Sequence, residues 1–237
     1  MRIAIIIPAY NEEQTIKKVV ESVHNVAEKY QLSLIPVVVN DCSIDKTGEI
    51  INKLNCVALH LPINLGIGGA VQAGMKYALQ NNFEYAVQMD GDGQHPAEEL
   101  IKLIEKCNQE NADVVIGSRF ISGEGFQSTF LRRVGIGFFS NLIHFLSGYK
   151  IADTTSGYRL FNKKALALIN EYYPDEYPEP EAIIYFSKNN LKVVETPVTM
   201  KERQGGVSSI GVYASVYYML KVSLALIFTY IRLYKNK

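Results

Sequence analysis

Through residues 1–117, short apolar runs alternate with longer stretches whose apolar positions recur every three or four residues. Arg2–Ile7, Leu34–Val39, Cys56–Leu61, Tyr85–Met89 and Asp113–Gly117 read as strands. Glu12–Lys29, Gly48–Leu54, Ala70–Gln80 and Pro96–Cys107 read as helices; in the first, Ile16, Val19, Val20, Val23 and Val26 share one face. Strands alternating with helices in this way predict an α/β chain in three layers around a mostly parallel central sheet. After Gly117 the rhythm breaks. Leu131–Ser147 reads as an aromatic-rich helix, Ala182–Ser187 as a helix and Lys192–Thr196 as a strand, with polar loops between. From Ile210 to Ile231 the only charge is Lys221, and Tyr213, Val216, Tyr217, Leu220, Leu224, Phe228 and Ile231 fall on one helical face. That stretch is long enough to cross a bilayer, but a lysine near its middle makes spanning costly. An amphipathic helix lying at a membrane surface, followed by a basic tail, accounts for the pattern better. The expected division is therefore 1–209 and 210–237, the former made of a half 1–117 and a half 118–209.

Composition narrows the picture. At 237 residues the chain suits one large domain. Its 24 basic and 24 acidic residues leave no bulk charge to attract nucleic acid. Cys42, Cys56 and Cys107 lack C-x-x-C spacing, which argues against a zinc site or a disulfide framework. The N-terminal apolar run is too short for a signal peptide and is broken at Pro8.

Candidate chemistry gathers where strands end. Asp90-Gly91-Asp92-Gly93-Gln94-His95-Pro96 follows a strand, and ligands of open α/β sheets bind beyond the carboxyl ends of strands. Two carboxylates one residue apart suit a hard divalent cation shared with substrate phosphates, although spacing alone also fits an ordinary Asp/Gly turn. Pro8-Ala9-Tyr10-Asn11-Glu12 and Asp41-Cys42-Ser43 leave the same edge of the expected sheet. Arg119, Arg132, Arg133, Arg159 and Arg203 supply guanidinium groups suited to phosphate. His95, between the paired carboxylates and Pro96, reads as supporting rather than as an acid or base.

Ile7-Pro8-Ala9-Tyr10-Asn11-Glu12, Asn40-Asp41-Cys42-Ser43-Ile44-Asp45, Asn64-Leu65-Gly66, Asp90 to Pro96, Gly117-Ser118-Arg119 and Thr155-Ser156-Gly157-Tyr158-Arg159 together resemble family 2 glycosyltransferases. Within that family the chain is similar to the dolichol-phosphate mannose synthase and bacterial polyprenyl-phosphate glycosyltransferase branch. The resemblance implies a GT-A, Rossmann-like fold and inverting transfer of a hexose from a nucleotide diphosphate sugar to a polyprenyl phosphate, assisted by Mg²⁺ or Mn²⁺. It assigns the nucleotide sugar to Pro8, Tyr10, Glu12, Asp41, Asn64, Asp90, Gln94 and Glu181, with Glu179 as the alternative to Glu181. The metal falls to Asp90, Asp92 and Gln94, and the acceptor phosphate to Arg119, Arg132, Arg133 and Arg203; Asp92, Arg119 and Arg133 are the catalytic candidates. Cys42 stands where the family usually has glycine. The implied location is the cytoplasmic face of the cell membrane, with a small membrane protein or a second copy of the chain as candidate partners. Two other readings stay open: transfer to a saccharide hydroxyl, which needs a base such as Asp153, Glu179 or Glu181, and a non-catalytic nucleotide-sugar-binding subunit.

Overall fold

The computed structural model describes residues 1–123, 130–175, 177–202 and 212–235, excepting the side chains of 130–132, 134, 212–218 and 233–235. In chain order the elements of the first half are β1 (Arg2–Ala9), α1 (Ile16–Tyr30), β2 (Ser33–Asn40), α2 (Thr47–Ile51), β3 (Val57–His60), α3 (Gly66–Gln80) and β4 (Tyr85–Gln88). A single 3₁₀ turn, Ala97–Glu99, then leads into α4 (Leu100–Glu110) and β5 (Val114–Ser118). The remainder comprises α5 (Phe130–Ser147), β6 (Arg159–Asn162), α6 (Lys163–Glu171), α7 (Pro178–Lys188), β7 (Val193–Pro197) and α8 (Val212–Lys235).

Among the described residues seven strands form one sheet in the order β3-β2-β1-β4-β6-β5-β7. All neighbours pair in parallel except β6, which runs antiparallel between β4 and β5. The apolar runs alternate faces as a pleat requires. Ile3, Ile5 and Ile7 join α1 and α4 in one core, whereas Ala4 and Ile6 join α3, α6 and α7 in the other. α3 lies hard against the sheet because a Cβ on Gly74 would come within 2.3 Å of Ile6.

The predicted alternation and mostly parallel sheet hold, but β6 and α6 were not expected. β6 is four residues long, starts with an arginine, and runs through its last residue, Asn162, directly into α6, whose Ala165 N–H donates to the Asn162 side chain. With no loop between them and only four residues of strand, periodicity has nothing to register.

α8 packs one face on α7 and α5, burying Val222, Leu226 and Thr229. Leu220, Leu224, Phe228 and Ile231, four of the residues assigned to one face from spacing, are exposed. Lys221 reaches back over the Tyr177 ring at 5.6 Å, and Lys188 of α7 over Tyr230 at 3.9 Å. Among the described residues no helix is long and apolar enough to cross a membrane.

Candidate functional site

The parallel strands β1, β2, β4 and β5 deliver their following loops to one edge of the sheet. Antiparallel β6 brings its preceding loop, Asp153–Tyr158, to the same edge. The first two loops are stitched together. Asn11 accepts the Ile44 N–H and donates its own N–H to Ser43 Oγ, and the Glu12 N–H donates to Thr47 Oγ1 at 2.8 Å. Asp41, almost fully buried, accepts the Leu65 N–H at 2.7 Å, while the Asn64 amide donates to the Asp41 carbonyl at 3.1 Å. Cys42 sits at φ 58°, in the left-handed region that glycine takes without strain. Pro8 is buried, Tyr10 stands exposed beside it, and Gly91 passes so close that a Cβ there would lie 3.0 Å from the Pro8 carbonyl.

Beside this floor is a polar pocket of about 80 Å³ lined by Asp90, Gln94, His95, Arg119, Thr155, Ser156, Gly157 and Met200. The His95 ring stacks on Tyr158 at 4.6 Å and accepts the Asp90 N–H at Nδ1. Burial pushes the imidazole down to about 4, so it is neutral at neutral pH and its contact with the Asp90 carboxylate at 3.7 Å is not an ion pair. Tyr158 donates in turn to the Pro96 carbonyl at 2.8 Å. Asp92 is buried, with Oδ1 accepting the Gln94 N–H at 2.9 Å, so it also fixes the turn it belongs to.

Opposite Asp90, the Arg119 guanidinium grips Asp153 through Nε and Nη2, both at 2.7 Å, and Nη2 also donates to Thr155 Oγ1 at 3.1 Å. Burial works against its charge, but the bonds to Asp153 outweigh it and hold the guanidinium above its ordinary range. A Cβ on Gly157 would meet the Gln88 amide at 2.9 Å, Asp90 Oδ1 at 3.4 Å and Glu179 Oε1 at 3.7 Å. The glycine therefore keeps open the space where these groups converge.

The glycosyl transferase family 2 model matches residues 4–169. The chain belongs to that family. It is 33% identical over 216 residues to UDP-N-acetylglucosamine–dolichyl-phosphate N-acetylglucosaminyltransferase of Methanococcus voltae, covering 83% of this chain and 84% of that one. It is 32% identical over 219 residues to polyprenol monophosphomannose synthase of Mycolicibacterium smegmatis, covering 88% and 81%. Mannosyl-3-phosphoglycerate synthase of Rubrobacter xylanophilus superposes with TM-score 0.70 at 13% identity, over all of this chain and 74% of that one. Glucosyl-3-phosphoglycerate synthase of Mycobacterium tuberculosis, solved with Mn²⁺, UDP and glucosyl-3-phosphoglycerate, gives 0.68 at 14%, over 98% of this chain and 79% of that one. These structures establish the GT-A-like α/β fold.

In this family 2 glycosyltransferase, Pro8, Tyr10, Glu12, Asp41 and Asn64 gather on one side of the edge, and Asp90, Gln94 and Arg119 around the pocket. Arg133 is exposed on α5, the Arg132 side chain lies outside the described residues, and so does Arg203. The Glu181 carboxylate accepts from Thr229 on α8, and it is Glu179, two residues earlier, whose carboxylate lies beside Gly157 and Asp90. Burial pushes the Glu179 carboxyl up, and Asp90 adds to the effect. Arg159, counted among the phosphate-binding arginines, is wholly buried and donates to the carbonyls of Ser156, Thr154 and Glu179. Glu195 escaped notice because nothing in the run Val193-Val194-Glu195-Thr196 marks it, yet it holds the loop that carries Asp153.

Among the described residues no three His, Cys, Asp or Glu side chains assemble a metal cage. The oxygen donors Asp90 and Gln94, one of them an accessible carboxylate, nevertheless fit a hard cation that completes its shell with substrate phosphates.

Proposed function

We propose that this family 2 glycosyltransferase moves a hexose from a nucleoside diphosphate sugar to a polyprenyl phosphate with inversion at the anomeric carbon. The observation that carries the reading is a guanidinium and a carboxylate lining one small pocket: Asp90 suits a cation that the diphosphate would share, and Arg119 suits an attacking phosphate. The curated relatives named for dolichyl and polyprenol phosphates support the same acceptor class. Pro8, Tyr10, Glu12, Asp41 and Asn64 hold the nucleoside, with Glu179 rather than Glu181 toward the sugar hydroxyls. Asp90, Asp92 and Gln94 would hold Mg²⁺ or Mn²⁺, which neutralises charge on the departing diphosphate.

The attacking phosphate oxygen forms the new bond to the anomeric carbon as the bond to the diphosphate breaks. An acceptor already anionic at neutral pH needs no proton removed, only alignment. Support comes from two of the groups that could have served as a base: His95 has Nδ1 committed to the Asp90 N–H, and Asp153 is fully buried in its pairing with Arg119. Residues 1–117 act as the donor half and 118–209 as the acceptor half, within one sheet. The outward apolar face of α8, with Phe145 of α5 also exposed, lies on the membrane surface that supplies the lipid.

Incubation with UDP-glucose, UDP-N-acetylglucosamine or GDP-mannose, Mg²⁺ or Mn²⁺ and undecaprenyl phosphate is expected to yield a glycosylated lipid phosphate by mass spectrometry. Transfer only to free saccharides, or binding without turnover, overturns the reading. Arg133→Ala is expected to raise the KM for lipid phosphate ~10-fold, the value of about one charge-assisted phosphate contact, and to leave the KM for nucleotide sugar unchanged. Equal changes in both would count against the acceptor role.

A further inference from the structure

Glu195 lies in β7, outside the pocket, paired in register with Ile116 of β5. Both of its carboxylate oxygens are committed to the backbone of one loop: Oε2 accepts the Ala152 N–H at 2.7 Å and Oε1 the Asp153 N–H at 2.9 Å. Asp153 has no solvent exposure and turns its own carboxylate onto Arg119, accepting from the Arg119 backbone N–H, Nε and Nη2. Arg119 then lines the pocket opposite Asp90. A continuous series of short bonds thus runs from the middle of β7 to the guanidinium.

Two neighbouring N–H groups, each bonded to a different oxygen, suit an ionised carboxylate, which offers two acceptor oxygens and no donor. The arrangement is costly, since it sets a second carboxylate close to Asp153. Burial and, more weakly, Asp153 push the Glu195 carboxyl up, against the pull of the two N–H bonds. An apolar side chain at this strand position would leave both N–H groups without these acceptors.

We propose that Glu195 is a positioning residue for the acceptor phosphate: it fixes the Ala152–Asp153 backbone, and through Asp153 it fixes the direction in which Arg119 presents its guanidinium. This rests on the reading of Arg119 as a phosphate ligand. Glu195→Gln keeps shape but turns an NH₂ donor toward one of the two N–H groups, so the loop and Arg119 shift together.

The test is a double-mutant cycle on the full chain, combining Glu195→Gln with Arg119→Lys, which keeps the charge beside Asp153 but loses the planar fork. Thermal unfolding reports folding, and Glu195→Asp, which keeps the charge and shortens the reach, replaces the amide variant if the latter does not fold. Glu195→Gln is expected to raise the KM for undecaprenyl phosphate about tenfold, with the nucleotide-sugar KM unchanged, and to add nothing in the Arg119→Lys background. Additive effects, or lost thermal stability with both KM values unchanged, overturn the inference. If Arg119→Lys moves the nucleotide-sugar KM instead, the acceptor reading fails. The Glu195 inference then stands, as positioning of Arg119, only if Glu195→Gln moves that same parameter without additivity; otherwise it falls too.

Discussion

Asp90→Asn is expected to lower turnover ~10²–10³-fold while the protein melts within a few degrees of the parent, an activity loss typical of deleting one preorganised charge or donor at a site of developing charge. The substitution is nearly isosteric, the Asp90 backbone N–H keeps its bond to His95, and the side chain is partly open to the pocket rather than packed. What disappears is the negative charge proposed to face the cation and, through it, the diphosphate. Calorimetry with UDP and Mn²⁺ gives a second readout: the parent should bind the pair more tightly than UDP alone, and the variant should lose that difference. Unchanged turnover would overturn the assignment of Asp90. Asp92→Ala will behave differently, losing stability together with activity, because Asp92 is buried and accepts the Gln94 N–H of its own turn.

The largest effect on stability is expected at Arg159. Arg159→Met keeps much of the volume but strips donors from the carbonyls of Ser156, Thr154 and Glu179, in a place with no access to water. Burial already pulls this guanidinium below its ordinary range, against the bonds it makes. Leaving a buried carbonyl without its donor costs ~1–3 kcal/mol, and a loss of about 3 kcal/mol lowers the melting temperature of a chain of this size by roughly 10 °C. A loss under ~1 kcal/mol would mean that water or a neighbour satisfies the carbonyls equally well. The site would suffer too, because Arg159 holds the start of α7 through the Glu179 carbonyl and the Thr154–Ser156 loop from beneath.

The first half of the molecule, residues 1–117, was legible because its signals are local. Each strand from β1 to β5 is an apolar run, each loop carries its chemistry in consecutive residues, and parallel pairing puts those loops on one edge. The second half was less so. β6 pairs with strands distant in sequence and owes its place to tertiary contacts rather than to propensity. Glu179 and Glu181 are two positions apart on a helix and so point in widely different directions; which one faces the pocket depends on how α7 rolls against the sheet. Arg159 and Arg119 are both arginines at strand ends, and only burial distinguishes a backbone clamp from a group lining a pocket. Glu195 had no legible signal at all, since its partners are backbone N–H groups that any sequence supplies.

The antiparallel strand also dictates the order in which the molecule can be completed. β4 and β5 do not pair with each other; each waits for β6, which leaves the ribosome only after Arg159. While residues 89–158 emerge, β4 offers an unpaired edge of backbone groups to any passing strand, and β5 has no neighbour to join. Joining β4 to β5 therefore hinges on long-range insertion of β6, a topology associated with slow folding and exposure to aggregation. Fragments ending before β6 should be the species that chaperones hold.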